Sequence, residues 1–260
     1  MHDFKHNNKF SIPCIKVERA KIPRALLGTS PFLAAGQFGI KSYKYYLEFI
    51  ANRGNIKKLV SSCLKMGIIG IQLISYEYVA KEIFEASKET GIKPIVIGTY
   101  VPDEVESLDW LVKLEAIVGL IHAMITDERN DTKLSEAIDL IIDHGMMPGI
   151  VTHTPYRTLQ WFLHSYSEKK KVKFIMAPLN YAGKFIDSTL SNIEALYTEL
   201  WRSNYYLIAK KVLGAGSLNI EKSISYIYSK PYIATAAFGI ASINEARETF
   251  TLITKYLGCE

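Results

Sequence analysis

The chain has too few cysteines, and no apolar run long enough, to belong to several large classes of protein. Its three cysteines, Cys14, Cys63 and Cys259, are odd in number and far apart in the 260 residues. They form no zinc-ligand spacing and do not suggest an oxidising compartment. No stretch approaches the 18 uncharged apolar residues of a membrane span. The opening Met1-His2-Asp3-Phe4-Lys5-His6 lacks the apolar core of a signal peptide. A cytoplasmic protein is expected from these absences, with no membrane partner. Neither a G-x-G-x-x-G turn nor a P-loop is present, nor any short-period repeat or low-complexity tract. The formal charge of +5 is modest, and its lysines are scattered over runs such as Asn55-Ile56-Lys57-Lys58 and Glu168-Lys169-Lys170-Lys171. Such runs read as solvated helix faces, so no nucleic-acid partner is expected.

What is present is an ordinary globular composition, 48% hydrophobic and 22% charged. A chain of this length buries roughly three quarters of its unfolded surface and needs no disulfide or metal staple. Short β-rich apolar runs alternate with longer amphipathic ones. Strands are predicted at Arg24–Ser30, Ile68–Ser75, Pro94–Tyr100, Val118–Thr126, Pro148–Thr154, Val172–Asn180, Tyr205–Leu213 and Tyr232–Gly239. Helices are predicted at Asn55–Met66, Tyr76–Thr90, Glu104–Ile117, Thr132–His144, Tyr156–Glu168, Ser188–Arg202, Asn219–Ser229 and Asn244–Gly258. Eight units in strict alternation imply an α/β protein, a single-domain (β/α)8 TIM barrel over residues 23–260. A short N-terminal extension, 1–22, is expected to cover its bottom or an outer face. A doubly wound sheet competes, but it usually has fewer strands and a Gly-rich first turn.

In a closed α/β barrel the site forms at the carboxyl ends of the strands. Polar residues there are Thr29 and Ser30, Gln72, Tyr100, His122, Asp127, His153, Asn180 and Lys211. Lys210 and Lys211 are adjacent in one strand, so regular alternation sends one into the barrel and the other to the helix layer. Burying an ammonium costs several kcal/mol. A lysine inside a barrel therefore suggests a Schiff-base nucleophile, a base or an anion anchor, against the plainer reading of a side chain reaching the rim. His122 and His153 lie on neighbouring strands. With Asp127 they could bind a divalent metal, though none is favoured, or act in acid–base and binding roles. The other histidines, His2, His6, His144 and His164, read as surface residues. The turns Gly214-Ala215-Gly216 and Gly239-Ile240-Ala241-Ser242 follow strands seven and eight, where barrels often bind phosphate or another anion. The alternative is tight turns, with Ser242 or Asn244 capping the last helix. The segment from Pro31 through Gly36, Phe38 and Gly39 to Tyr43, Tyr45 and Tyr46 is long for a loop. It is expected to be a lid, with a subunit contact as the alternative, and a homo-oligomer is possible.

Several of these segments resemble the aldo-keto reductases. Leu27-Gly28-Thr29-Ser30-Pro31-Phe32 is similar to their opening strand and Val118-Gly119-Leu120-Ile121-His122 to the strand bearing their catalytic histidine. Ala209-Lys210-Lys211-Val212-Leu213-Gly214-Ala215-Gly216-Ser217-Leu218 resembles their seventh strand. Phe238-Gly239-Ile240-Ala241-Ser242-Ile243-Asn244-Glu245-Ala246 resembles their eighth, with the turn into the cofactor-binding helix. The resemblance implies an aspartate and a tyrosine after strand two, a lysine ending strand three and a histidine on strand four. Only His122 matches: strand two ends Leu73-Ile74-Ser75, and strand three ends Thr99-Tyr100 where the lysine belongs. A closer likeness is to barrels of this plan with a turn like Gly149-Ile150-Val151-Thr152-His153-Thr154-Pro155 and an asparagine ending strand six. In them the strand-seven lysine aligns with Lys211. The expectation is a small-molecule enzyme acting on a carbonyl- or anion-bearing metabolite. Lys211, His122, His153 and Tyr100 are the candidate catalytic groups, and Gln72, Asn180, Thr29, Ser30 and Asp127 the binding groups. A lysine-dependent lyase or aldolase, needing no cofactor, is its sharpest form. The alternatives are an NADP-dependent oxidoreductase with Tyr100 as proton donor, a metal-dependent hydrolase or isomerase, and a non-catalytic barrel. The last predicts an apolar pocket and a lysine paired to a carboxylate.

Overall fold

The computed structural model describes residues 9–18 and 20–258. A two-stranded antiparallel hairpin, β1 (Cys14–Val17) and β2 (Ala20–Pro23), precedes eight parallel strands: β3 (Ala25–Gly28), β4 (Gly70–Ile74), β5 (Ile95–Tyr100), β6 (Val118–Ile121), β7 (Met147–Val151), β8 (Phe174–Pro178), β9 (Tyr206–Lys210) and β10 (Ile233–Gly239). They close in the order β10-β3-β4-β5-β6-β7-β8-β9, a (β/α)8 TIM barrel. The helices are α1 (Lys41–Tyr45), α2 (Asn55–Lys65), α3 (Glu77–Thr90), α4 (Ser107–Lys113), α5 (Ala123–Thr126), α6 (Asp131–Asp143), α7 (Pro155–His164), α8 (Leu190–Arg202), α9 (Ile220–Tyr228) and α10 (Ile243–Leu257).

Alternation along each strand divides the apolar residues between two cores. Outward residues such as Leu27, Ile71, Leu73, Ile121 and Leu207 pack under the helices. Inward residues Leu26, Ile97, Val118, Leu120, Phe174, Met176 and Ile208 fill the barrel. Gly98 and Gly119 sit on the outward faces because a Cβ there would lie 2.1 Å from Leu111 Cδ2 and 2.6 Å from Ile141 Cγ2. Helices α4 and α6 thus press directly on the strand backbone. At the barrel bottom, Val17 and Ile22 of the hairpin join the inward cluster and are excluded from solvent. His2, His6 and Cys259 lie outside the described residues. Cys14 is exposed and Cys63 buried, and burial pushes the Cys63 thiol up to about 12.

Six predicted strands run past their carboxyl ends at the mouth, and strands four, six and seven show why. Strand four stops at Ile121, because His122 turns to cap α5: its Nδ1 accepts the Met124 N–H at 3.2 Å. Strand six ends at Pro178 rather than Asn180. Strand seven ends at Lys210, because Lys211 adopts a left-handed φ of +56°. The predicted loop after the first barrel strand is largely helical, with turns at Ser30–Leu33 and Gly36–Phe38, then α1 and a π-helical turn at Tyr46–Ala51.

Candidate active site

The inward positions change character toward the carboxyl ends of the strands. Above the apolar layer stand Gln72 of β4, Thr99 of β5, His122 after β6, His153 after β7 and Lys210 at the end of β9. All five border one cleft of about 320 Å3. The segment after β3 forms one wall through Leu33, Phe38, Lys41 and Tyr45, and α10 adds Glu245 and Glu248.

Lys210 is the central group. Its side chain is buried, and its Nζ lies 3.0 Å from His153 Nδ1. None of the ion pairs among the described residues includes it. Burial and then the Lys211 ammonium hold its pKa well below the ordinary lysine value, against the opposing charge of Asp127. His153 is depressed to about 3, by loss of hydration first and then by Lys210 and Lys211. The residue as a whole is exposed, while its Nδ1 faces the lysine. His122 is also depressed, by burial and then by Lys210. Its ring centre lies 6.4 Å from that of His153. Because His122 Nδ1 accepts the Met124 N–H, its remaining proton resides on Nε2.

The expectation that Lys211 is the inward lysine is corrected: Lys210 enters the barrel. Nor does Lys211 face the helix layer. Its positive φ breaks the alternation, so both lysines border the cleft. Tyr100, proposed as a proton donor, is also misplaced. Thr99 takes the inward position on β5, and Tyr100 packs against the outer core. Tyr76 and Tyr45 border the cleft instead, each phenol raised mainly by burial. Tyr76 lies two residues past the barrel's second strand, where the aldo-keto reductase resemblance implies a tyrosine, and that spacing is the signal that marks it.

Asp127, Asn180 and Thr29 hold the backbone rather than face the cleft. Asp127 accepts from Thr152 Oγ1 at 2.5 Å, Thr158 Oγ1 at 2.8 Å and the His153 N–H at 2.8 Å. With both its oxygens engaged, it does not converge with the two histidines on a metal position. The described residues contain no group of three His, Cys, Asp or Glu suited to a metal. Asn180 Nδ2 donates to the carbonyls of Lys184 at 2.9 Å and Lys211 at 3.3 Å, and its Oδ1 accepts the Lys184 N–H. Thr29 Oγ1 accepts the Ile74 N–H. Gln72 and Ser30 do border the cleft, and Gln72 Nε2 donates to Thr99 Oγ1 at 3.1 Å.

The expected phosphate cradle is largely spent on the chain itself. The N–H groups of Gly214 and Gly216 donate to the carbonyls of Lys211 and Leu213, and Ala215 takes a left-handed turn between them. At the end of β10, a Cβ on Gly239 would meet the Pro31 ring, and Ile240 just beyond is buried. The Ala241 N–H donates to Glu245, while Ser242 Oγ accepts from the Glu245 N–H, a reciprocal helix cap. The predicted lid aromatic Phe32 is a core residue, its ring centre 4.9 Å from that of Phe49. Phe38 borders the cleft, while Ile40 and Tyr43 face solvent at 97% and 70% exposure.

Neither a protein-family model nor a curated protein matches the chain. Solved structures do. A provisionally assigned aldo-keto reductase from Pseudomonas aeruginosa matches at TM-score 0.69 and 14% identity, over 98% of this chain and 100% of that one. An aldo-keto reductase from a Medee basin deep-sea metagenome library matches at 0.57 and 11%, over 95% and 96%. A D-tagatose 3-epimerase-like protein matches at 0.52 and 12%, over 90% and 97%. At these identities the likeness is one of fold.

Proposed function

We propose that the protein is an enzyme acting on a small carbonyl metabolite through a Schiff base on Lys210. The observation that carries this reading is a buried lysine with no carboxylate partner, 3.0 Å from an imidazole that is itself uncharged at neutral pH. A lysine kept for structure alone is expected to reach solvent or pair with an acid. A depressed amine carries the free electron pair that a nucleophile needs. The non-catalytic reading predicts a lysine paired to a carboxylate; none of the ion pairs among the described residues includes Lys210, and Gln72, Thr99, His122 and His153 border the same cleft.

The amine donates one N–H to His153 Nδ1 and directs its electron pair at the substrate carbonyl carbon. As the C–N bond forms, the nitrogen releases a proton to His153, while the carbonyl oxygen, held by a hydrogen bond from the Nε2–H of His122, takes its proton from solvent in the cleft. The resulting hydroxyl leaves as water with the proton held by His153, giving a protonated C=N bond. That iminium draws electrons from the neighbouring carbon, so cleavage or proton transfer there becomes possible. Water then restores the carbonyl and the free amine. The test is borohydride reduction in the presence of an aldehyde panel, with mapping of the adduct by mass spectrometry. Irreversible modification at Lys210 is expected. Modification confined to surface lysines would defeat the reading.

The fold likeness, with Tyr76 and His122 on the same cleft, supports an NADP-dependent oxidoreductase as the second reading. Tyr76 replaces Tyr100 there as the proton donor. Against it, Glu245 occupies the Ala241 N–H in the turn where the sequence resemblance places the cofactor, so the residues present do not fit a phosphate there. Quenching of protein fluorescence by NADPH tests it, and a flat titration into the millimolar range removes it.

A further inference from the structure

We infer that Lys211 holds an anionic group of the substrate, so that the metabolite is a carbonyl compound bearing a carboxylate or phosphate. The inference rests on the Schiff-base reading for the position of the carbonyl, but its geometry stands apart. In a regular strand Lys211 would point away from Lys210. Its φ of +56° places it instead beside the same cleft. A left-handed lysine is strained, and such strain persists only where surrounding bonds hold it. Asn180 supplies one of them, donating its Nδ2 to the Lys211 carbonyl at 3.3 Å.

The Lys211 Nζ then lies 4.6 Å from the centre of the Phe185 ring, and it takes no part in the ion pairs among the described residues. It borders the cleft that His153 and Lys210 also border, and its charge bears on both of them. Lys41, on the wall formed by α1, also lacks an acidic partner and reaches only the Gly216 carbonyl, at 3.5 Å. The carboxylates of the cleft, Glu245 and Glu248, belong to α10, and Glu245 is tied to the Ala241 N–H. An anion beside Lys211 would neutralise a half-buried cation that no ion pair among the described residues neutralises. A neutral aldehyde would leave it unbalanced.

The experiment compares borohydride trapping of the full chain by glyceraldehyde, glyceraldehyde 3-phosphate and glyoxylate, in wild type, Lys211→Met and Lys211→Arg. Intrinsic differences among the carbonyls cancel when each anionic-to-neutral rate ratio is compared between proteins. The ratio for at least one anionic probe is expected to fall about tenfold or more in Lys211→Met and to survive in Lys211→Arg. The probe whose ratio falls identifies carboxylate or phosphate. Unchanged ratios in Lys211→Met overturn the inference. Should no carbonyl modify Lys210 in any protein, the Schiff-base reading fails by itself. The anion site is then judged by thermal midpoints with oxalate or inorganic phosphate, against sodium chloride at equal ionic strength. A rise in wild type that Lys211→Met lacks supports the site. Equal midpoints in the two proteins sink it.

Discussion

The two ends of the barrel interior solve opposite problems with the same eight strands. At the bottom, Leu26, Val118 and Phe174 meet Val17 and Ile22 of the hairpin, and every one is fully buried and apolar. At the mouth, the next inward positions carry Gln72, Thr99, His122, His153 and Lys210. The lower layer gains from excluding water. The upper layer retains a buried amine without an acid, and a left-handed lysine beside it, both of which oppose folding. A fold selected only for stability would fill that layer as it fills the lower one, and this contrast is what supports the proposed site at the mouth.

The largest effect expected from this contrast belongs to the bottom. Phe174→Ala removes a wholly buried ring from the closed layer and should cost roughly 3–5 kcal/mol of stability. The shift of the urea midpoint at constant slope measures it. A cost under about 1 kcal/mol would mean that the lower layer collapses freely, and the contrast between the two ends would be lost.

Lys210→Met tests the mouth and should act with the opposite sign. It abolishes the borohydride adduct, and at pH 7 it should stabilise the fold by about 1–3 kcal/mol, because a desolvated amine gives way to an apolar chain of similar length. The pH dependence follows from the depressed lysine pKa. The unfolded chain keeps that proton to about pH 10.5, while the folded chain releases it earlier, so unfolding takes up a proton between the two values. Wild-type stability therefore rises with pH through this window. The deficit relative to Lys210→Met is complete below the folded pKa and vanishes above about 10.5. His153 behaves alike at lower pH: folded near 3 and unfolded near 6.5, it withdraws stability from wild type as pH falls between those values, and less from Lys210→Met, which lacks the ammonium that helps depress it. Parallel urea curves for the two proteins from pH 7 to 10.5 would contradict the buried, depressed amine.

The barrel was legible in the sequence because its signal is redundant: eight apolar runs, each followed by an amphipathic one, survive errors at any single boundary. The identity of the mouth was legible for the same reason, since Gln72, His122, His153 and the lysine pair are polar residues at the ends of otherwise apolar runs. What failed was orientation. Alternation assumes a regular strand, and at Lys211 the strand has already ended. The roles given to Asp127 and Asn180 failed differently. Their oxygens and amides answer backbone groups of other loops, partners that only the closed fold brings near. The glycine turns misled because φ > 0 permits either an anion cradle or a self-bonded turn, and Gly214 and Gly216 form the second.

The smallest effect separates strain from charge within the mouth itself. Asparagine tolerates the left-handed region better than lysine, because its short amide can bond locally there. Lys211→Asn should therefore relieve part of the backbone strain and raise stability by about 0.5–1 kcal/mol. It also removes the ammonium that burial destabilises. Lys211→Gly offers the same relief but restores unfolded-state freedom, a loss of roughly 0.5–1 kcal/mol, so its net change should be near zero. The expected order in urea is Asn above Gly, with Gly close to wild type, and Lys211→Met below Asn, since methionine sheds the half-buried ammonium but keeps the strain. If Lys211→Asn proves less stable than Lys211→Met, the positive φ is not the source of the cost. The half-buried stem against Phe185 would then be what holds this turn in place.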